Sequence, residues 1–250
     1  MKAKYKKILF SFISIFIWLL LWEITARLIN ISFIIPTISD IANAVLGLML
    51  KADFYLALLF SLGRILLGLL LGTLIGALLA VLTANIEFIH SLISPIMSVI
   101  KATPVASFII ILWFFFDKNL IPIIIAVLMV APIIWEGMKD ALGTKNKVLY
   151  EVAEIFELPI DKKIKILILP TVMKYTVPAI ISASALAWKA GIAAEIITLT
   201  KISIGGNISN SKNMFEGAEM FAWTIAVVIL SILLEKGIKK LLKKVKQKWG

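Results

Sequence analysis

The sequence predicts an all-α integral membrane protein with about six transmembrane helices. Of its 250 residues, 61% are hydrophobic and only 16% are charged, and the mean hydropathy is +1.01. A soluble domain is roughly half apolar and about 25% charged, because its surface has to remain polar. Several apolar runs reach the roughly 20 residues that a helix needs to cross a ~30 Å hydrocarbon core. No alternating strand pattern competes with them.

Six apolar segments are predicted to span the bilayer. They are residues 8–28, 56–84, 92–116, 120–135, 175–199 and 220–234. The first follows a lysine cluster, as in a signal peptide, but no small-residue cleavage site comes after it, so we expect an uncleaved helix. The third is interrupted at Pro95 and at Thr103-Pro104. Such breaks occur at membrane depth where protein or a water-filled cavity satisfies the backbone.

The segments between the spans are predicted to be short. Residues 30–53 begin with a turn, after which Thr37 or Ser39 is a suitable N-cap for an amphipathic helix on the outer face. Residues 200–219 are rich in Gly, Asn and Ser and are predicted to form an outer loop. Within the second span, Gly68, Gly72 and Gly76 recur every four residues, which favours close packing against another helix.

The charge distribution predicts the orientation. The net charge is +11, and residues 2–7, 139–174 and 236–248 hold eighteen of the 26 Lys and Arg residues. Clusters of this kind lie on the cytoplasmic side of membrane proteins. We therefore expect both termini and residues 151–170 to be cytoplasmic, with the lipid bilayer rather than nucleic acid as partner. The expected organisation is residues 1–53 as an N-terminal helix with an outer segment, 54–238 as the membrane domain, and 239–250 as a basic tail.

The residue types exclude several kinds of chemistry. There is no Cys and only one His, which excludes a thiolate site and a multi-His metal centre. No motif typical of a catalytic site or of a phosphate-binding Gly-rich loop occurs. We therefore predict no catalytic residue, metal or cofactor, and if the protein uses ATP, a partner subunit binds it.

Residues 151–170, here called the polar segment, are predicted to form a helix, a turn and a second helix. Pro159 and Asp161 suit the start of the second helix. That helix is basic and amphipathic, so it is expected to lie on the membrane surface and to end at Pro170. The first helix is acidic and is expected to contact a protein partner.

Four residues within the spans are candidate pathway or gate residues: Lys101, Pro104, Lys189 and Glu195. Charges at membrane depth usually face a cavity or a partner. Lys101 either extends to the inner interface or lines a cavity. Lys189 either attracts an anionic solute or has a structural partner, and both readings stay open. For Glu195, near the outer surface, pairing with Arg64 is favoured over a role at the gate.

The polar segment resembles the EAA loop of binding-protein-dependent ABC transporter permeases. The family pattern is E-A-A, three residues, G, nine residues, then I-x-L-P, and it matches here at Glu151, Ala153, Leu169 and Pro170. Val152 replaces Ala, Leu167 replaces Ile, and Glu157 replaces Gly. With that Gly absent, the position of the turn is left open between Glu157 and Pro159.

Further stretches resemble the nitrate/sulfonate/taurine branch of this family. They are residues 18–24, 35–40, 61–64, 101–104, 111–114, 186–188 and 193–195. The resemblance implies a type I ABC importer transmembrane domain in a bacterial or archaeal plasma membrane, working as a pair of permease copies. Partners would be an ATP-binding subunit dimer and an extracytoplasmic solute-binding protein on which selectivity rests. The solute would be small and anionic (sulfonate-, nitrate- or taurine-like) or similar to a thiamine precursor.

In that family the polar segment docks the ATPase. We therefore assign the docking surface to Glu151, Val152, Ala153, Glu157, Leu158, Pro159, Leu169 and Pro170. The alternative function is a secondary transporter or channel that works without an ATPase. Such a protein would need paired broken helices in its two halves or a charged relay through its spans, and neither is evident in the sequence.

Overall fold

The computed structural model describes residues 2–143, 151 and 153–249, with side chains at residues 6, 9–143, 151 and 153–244. Its helices are α1 (Lys2–Ile29), α2 (Ile38–Met49), α3 (Ala52–Asn85), α4 (Glu87–Ala102), α5 (Val105–Trp113), α6 (Ile121–Gly143), α7 (Ile160–Thr198), α8 (Ile204–Asn213) and α9 (Gly217–Trp249). The described residues contain no β-strand. Val152 and residues 144–150 lie outside the described residues.

The number of spans agrees with the sequence prediction. Five helices in the described part of the chain are long and apolar enough to cross a membrane, or six if α4 and α5 count as one bent span. These two helices meet at an angle of 100°, because Pro104 lacks the N–H that would continue the helix and keeps the preceding residue extended. The all-α membrane fold predicted from the sequence is confirmed.

Helices α3, α6 and α7 form the centre of the domain. The predicted glycine stripe of α3 lies against α6, with its backbone in close approach. A Cβ atom added to Gly72 would lie 2.7 Å from Val130 Cβ, and one added to Gly76 would lie 2.5 Å from the Ala131 carbonyl oxygen. No side chain fits there, so these glycines set the distance between the two helices. By contrast, an added Cβ at Gly63 would meet nothing within 4 Å.

The amphipathic helix predicted after residue 37 is α2, and Thr37 rather than Ser39 is its N-cap. The Thr37 side chain accepts a hydrogen bond from the Asp40 N–H at 3.2 Å, and the Thr37 N–H donates to the Asp40 carboxylate at 3.3 Å. This reciprocal pair satisfies two backbone donors at the helix start. At the preceding turn, Trp22 donates its indole N–H to the Pro36 carbonyl at 3.0 Å.

The helix ends define two faces of the domain. One, here called the Arg64 face, contains the connections that follow α1, α5, α7 and α8. There Thr200 donates to the Lys118 carbonyl at 3.1 Å, and the centroids of the Phe33 and Phe215 rings are 5.5 Å apart. The other, here called the far face, holds the α3–α4 junction, the end of α6 and the start of α7. There Trp135 donates to Thr83 at 2.9 Å.

Two predictions about the connections are wrong. The second helix of the polar segment does not end at Pro170 on the membrane surface; it continues into the fifth span as α7. A π-helical turn, Ile164–Ile168, precedes Pro170. This wider turn accommodates the ring of Pro170, which in a regular α-helix would clash with the carbonyl four residues earlier. The outer loop at 200–219 contains a helix, α8, whose first turn is capped by Ser203 accepting from the Gly206 N–H at 2.9 Å.

Candidate functional site

The first helix of the polar segment ends at the position where the EAA pattern has glycine. Glu151 and residues 153–155 are helical. The Glu157 N–H donates to the Glu154 carbonyl at 2.9 Å, and the Leu158 N–H donates to the Ala153 carbonyl at 3.0 Å. These two bonds form a Schellman motif. The turn is thus at Glu157 and is not shifted to Pro159.

Glu157 occupies this position under strain. Its φ is +47°, in the left-handed region, where a Cβ atom costs roughly 1–2 kcal/mol. Pro159 follows as the N-cap residue of α7, and Asp161 lies in the first turn, as predicted from the helix dipole. The backbone of the turn therefore keeps the geometry that glycine would favour, although the side chain at this position is a glutamate.

Replacing Glu157 with Gly is expected to strengthen the turn. Removing the Cβ strain should stabilise the local structure by about 0.7 kcal/mol, net of the greater freedom of Gly when unfolded. This corresponds to roughly threefold slower hydrogen exchange at the Leu158 amide. Glu154→Gly is the matched control, because Glu154 is helical and its replacement should speed the same exchange. If Glu157→Gly and Glu154→Gly changed the exchange rate of the Leu158 amide equally, the left-handed conformation of Glu157 would be contradicted.

The polar segment carries an exposed apolar patch that the sequence analysis did not assign. Ile155, Phe156 and Ile160 are 77%, 74% and 75% exposed, whereas Ala153 is 2% exposed and packs inward. Among the predicted docking residues, Glu151, Glu157 and Pro159 are exposed and Leu158, Leu169 and Pro170 are half-buried. The signal available in the sequence was the Ile155-Phe156 pair inside an otherwise acidic helix.

The length of α7 exceeds what one crossing of the bilayer requires. The helix has 39 residues, Ile160–Thr198, which is about 58 Å at 1.5 Å per residue. A bilayer is about 40–45 Å thick including its headgroups. With Thr198 at one membrane surface and α7 along the bilayer normal, the start of the helix would project into water at the far face. Exposed apolar side chains in water mark an interaction surface.

On the Arg64 face, one arginine connects three parts of the chain. Arg64 Nη1 donates to Glu195 Oε1 at 3.3 Å and to the Ile202 carbonyl at 3.2 Å. Arg64 Nη2 donates to Asn119 Oδ1 at 3.0 Å and to the Lys201 carbonyl at 3.2 Å. The guanidinium thus joins α3 to the end of α7, to the loop after it and to the turn before α6.

Glu195 is fully buried, and its second carboxylate oxygen accepts two further hydrogen bonds. Ser61 donates to Glu195 Oε2 at 2.7 Å, and the Gly205 N–H donates to the same oxygen at 3.2 Å. Ser61 in turn accepts from the Ile204 N–H at 2.9 Å. The pairing of Glu195 with Arg64 that the sequence favoured is present, and it fixes α3, α7 and the start of α8 together.

The loop between α7 and α8 is strained where Arg64 holds it. Leu199 and Ile202 have φ values of +53° and +46°, unusual for side chains of this size and especially for a β-branched residue. Arg64 bonds the carbonyls of Lys201 and Ile202 within this loop. Strain of this kind persists only where surrounding contacts determine the backbone.

Two other candidate residues lie at the bend between α4 and α5. Lys101, in the last turn of α4, forms an ion pair with Glu136 of α6, with Nζ at 2.9 and 3.1 Å from the two carboxylate oxygens. Both side chains are 41–49% exposed. Pro104 is the N-cap residue of α5. Lys101 therefore has a carboxylate partner on a neighbouring span, which neither sequence reading had identified.

Lys189 has a different environment. It is exposed on α7 and, with Ser231 of α9, lines a cavity of about 360 Å³ between the two helices. No carboxylate lines this cavity. Glu195, six residues further along α7, belongs instead to the buried network described above. The structure thus separates these two candidates in both position and environment.

A scan against protein-family models matches residues 72–246 to the family described as "Binding-protein-dependent transport system inner membrane component". No curated protein matches the chain. The family match covers more than two-thirds of the chain, and the all-α architecture is that of a type I ABC importer transmembrane domain. The chain is therefore a multi-pass membrane protein that belongs to the family of inner membrane components of binding-protein-dependent transport systems.

Proposed function

We propose that this ABC permease component couples import to an ATP-binding subunit dimer through its polar segment. One observation carries the proposal: an acidic helix with an exposed apolar patch ends in a Schellman turn at the EAA position, directly before the 39-residue helix α7. A continuous helix transmits movement of its base to the span that follows. Docking at this segment would thus move α7, whose Arg64-face end is fixed by Glu195.

The proposed assembly places the far face in the cytoplasm. The lysines of the polar segment and of the end of α9 lie toward this face, in agreement with the positive-inside rule. Both termini would then be cytoplasmic, and the Arg64 face would receive the extracytoplasmic solute-binding protein. Residues 54–238 would form the membrane domain, with 1–53 before it and the basic residues 239–250 after it. A second copy of the chain would complete the pathway.

We propose a small anion as the solute, of the sulfonate, nitrate or taurine class. The resemblance of several stretches of the sequence to that branch supports this solute class. Lys101 and Pro104 would act at the bend between α4 and α5, where the Lys101–Glu136 ion pair ties the bend to α6. Glu195 would position the outer end of α7 without contacting solute.

Charge reversal at Glu151 tests the docking assignment. Glu151→Lys should reduce co-purification of the ATP-binding subunit about tenfold, because it replaces an exposed anion of the docking helix with a cation. Glu87→Lys is the matched control, since Glu87 is also exposed at the far face but lies outside the segment. Equal recovery of the ATPase with both variants, at equal membrane levels, would refute the assignment.

A further inference from the structure

The cavity between α7 and α9 lies within the hydrocarbon layer. Lys189 is nine residues before the end of α7 at Thr198, about 14 Å along the helix. Ser231 is fourteen residues after the start of α9 at Gly217, about 21 Å along that helix. Each headgroup region is only about 5–8 Å deep. Both polar side chains are therefore placed where lipid phosphates do not reach.

The walls of the cavity are almost entirely apolar and carry no carboxylate. Of its lining residues, Lys189 is the one charged residue and Ser231 adds a hydroxyl; the rest are apolar or aromatic side chains such as Ile192 and Val228. Trp188 also lines the cavity, but its indole N–H is buried and is not open to an occupant. A site with this composition favours an anionic group attached to an apolar body.

The charge of Lys189 is only partly compensated. Glu235 of α9 is within electrostatic range of Lys189, but Glu235 is hydrogen-bonded and ion-paired with Lys239, one turn further along. No ion pair joins Lys189 to a carboxylate among the described side chains. An ammonium at membrane depth is costly unless it faces a cavity or a partner, so an anion entering this cavity gains a favourable interaction.

We infer that this cavity is a transient binding site for small organic anions within the hydrocarbon layer, with Lys189 holding the anionic group and Ser231 donating beside it. The inference rests on the proposed import of a small anion and gives it a place in the chain. The site selects by charge and by the presence of a short apolar body, while its 360 Å³ admits solutes of a few carbons.

The absence of cysteine from the sequence permits a test that needs neither transport nor the identity of the solute. Single cysteines replace Ser231 or Val228, both in the cavity, in the full-length chain in lipid nanodiscs. Each is modified with an anionic methanethiosulfonate carrying a sulfonate, and with a cationic one carrying a trimethylammonium. The anionic-to-cationic rate ratio, divided by the same ratio for a free thiol, reports the local charge preference.

Each cysteine variant is compared with the same variant that also carries Lys189→Met. We expect the normalised ratio to be about tenfold higher when Lys189 is present, because a cation within several ångströms attracts the anionic reagent in a medium of low dielectric. Leu233→Cys, 58% exposed outside the cavity on α9, should react with neither reagent. Sodium butanesulfonate should slow modification in the cavity, and butyltrimethylammonium should not. A ratio that is independent of Lys189, or unreactive cysteines at both positions, would overturn the inference.

Lipid is distinguished from solute by the nanodisc composition. The rise in the ratio caused by Lys189 should be the same in phosphatidylcholine and in mixtures with phosphatidylglycerol. If the anionic lipid removed this rise, the occupant would be lipid and the inference would be wrong. Because this readout contains no ATPase, its outcome is independent of the co-purification test at Glu151. If the Glu151 test showed no ATPase docking at the polar segment while Lys189 still raised the modification ratio, the proposed function would be wrong and the inference about the cavity would stand.

Discussion

Replacing Arg64 with Met is expected to destabilise the protein by about 3 kcal/mol. The substitution leaves the buried Glu195 carboxylate without its cation, and removing one partner of a buried pair costs about 3–5 kcal/mol. We expect the lower end of this range because the Arg64 side chain retains 12% exposure. The carbonyls of Lys201 and Ile202 lose their donor as well. Thermal unfolding of the purified protein in detergent measures the effect.

Arg27→Met is the matched control for this prediction. Arg27 pairs with Glu23 at 2.7 Å in α1, but its side chain is 74% exposed, and exposed pairs contribute about 0–1 kcal/mol. A second variant, Arg64→Met with Glu195→Met, removes both charges and should recover part of the loss. Equal destabilisation by Arg27→Met and Arg64→Met would show that the network on the Arg64 face does not hold α3 to α7.

Replacing Phe156 with Asp is expected to reduce ATP-dependent uptake at least tenfold while the protein still reaches the membrane. An aromatic side chain at the centre of an interface contributes about 2 kcal/mol or more, which weakens binding about thirtyfold when it is lost. Phe156 is 74% exposed in the turn before α7, so its replacement removes little packing within the chain. Uptake and membrane levels are measured in the same cells.

Phe88→Asp is the control for Phe156. Phe88 is 76% exposed at the start of α4 on the same face, outside the polar segment, and its replacement should leave uptake within about twofold of the unmodified protein. If Phe156→Asp lowered membrane levels and uptake in proportion, the patch would serve insertion into the membrane interface. That outcome would contradict a docking role.

The sequence predicted the parts of the structure that depend on local patterns. Apolar runs of sufficient length predicted the spans, and the four-residue repeat of Gly68, Gly72 and Gly76 predicted close packing. The capping residues Thr37 and Ser39 predicted the start of α2 but left open which of them is the N-cap. The pairing of Glu195 with Arg64 was accessible because two charges near one membrane surface have few alternative partners. Each of these follows from periodicity, capping chemistry or the cost of an isolated charge in lipid.

The features that sequence reasoning missed depend on tertiary context. Pro170 suggested a helix end, yet the π-helical turn before it lets α7 continue. The Gly- and Asn-rich composition of 204–213 suggested a loop, but Ser203 caps a helix whose start packs against Glu195. The partner of Lys101 lies 35 residues away in the chain, and no local pattern identifies it. The exposure of Ile155 and Phe156 depends on how the first helix of the polar segment packs against the rest of the chain, which no local pattern identifies.

Uptake by purified components in proteoliposomes tests the central claim most directly. The chain is reconstituted with its ATP-binding subunit and its solute-binding protein, and accumulation of labelled solute is followed with ATP, with a non-hydrolysable analogue, and with the ATP-binding subunit omitted. In the complete system we expect accumulation with ATP, but not with the analogue and not without the ATP-binding subunit. Accumulation should also be lost when the chain carries Phe156→Asp. Solute carried by the chain without any ATP-binding subunit would contradict coupling through the polar segment.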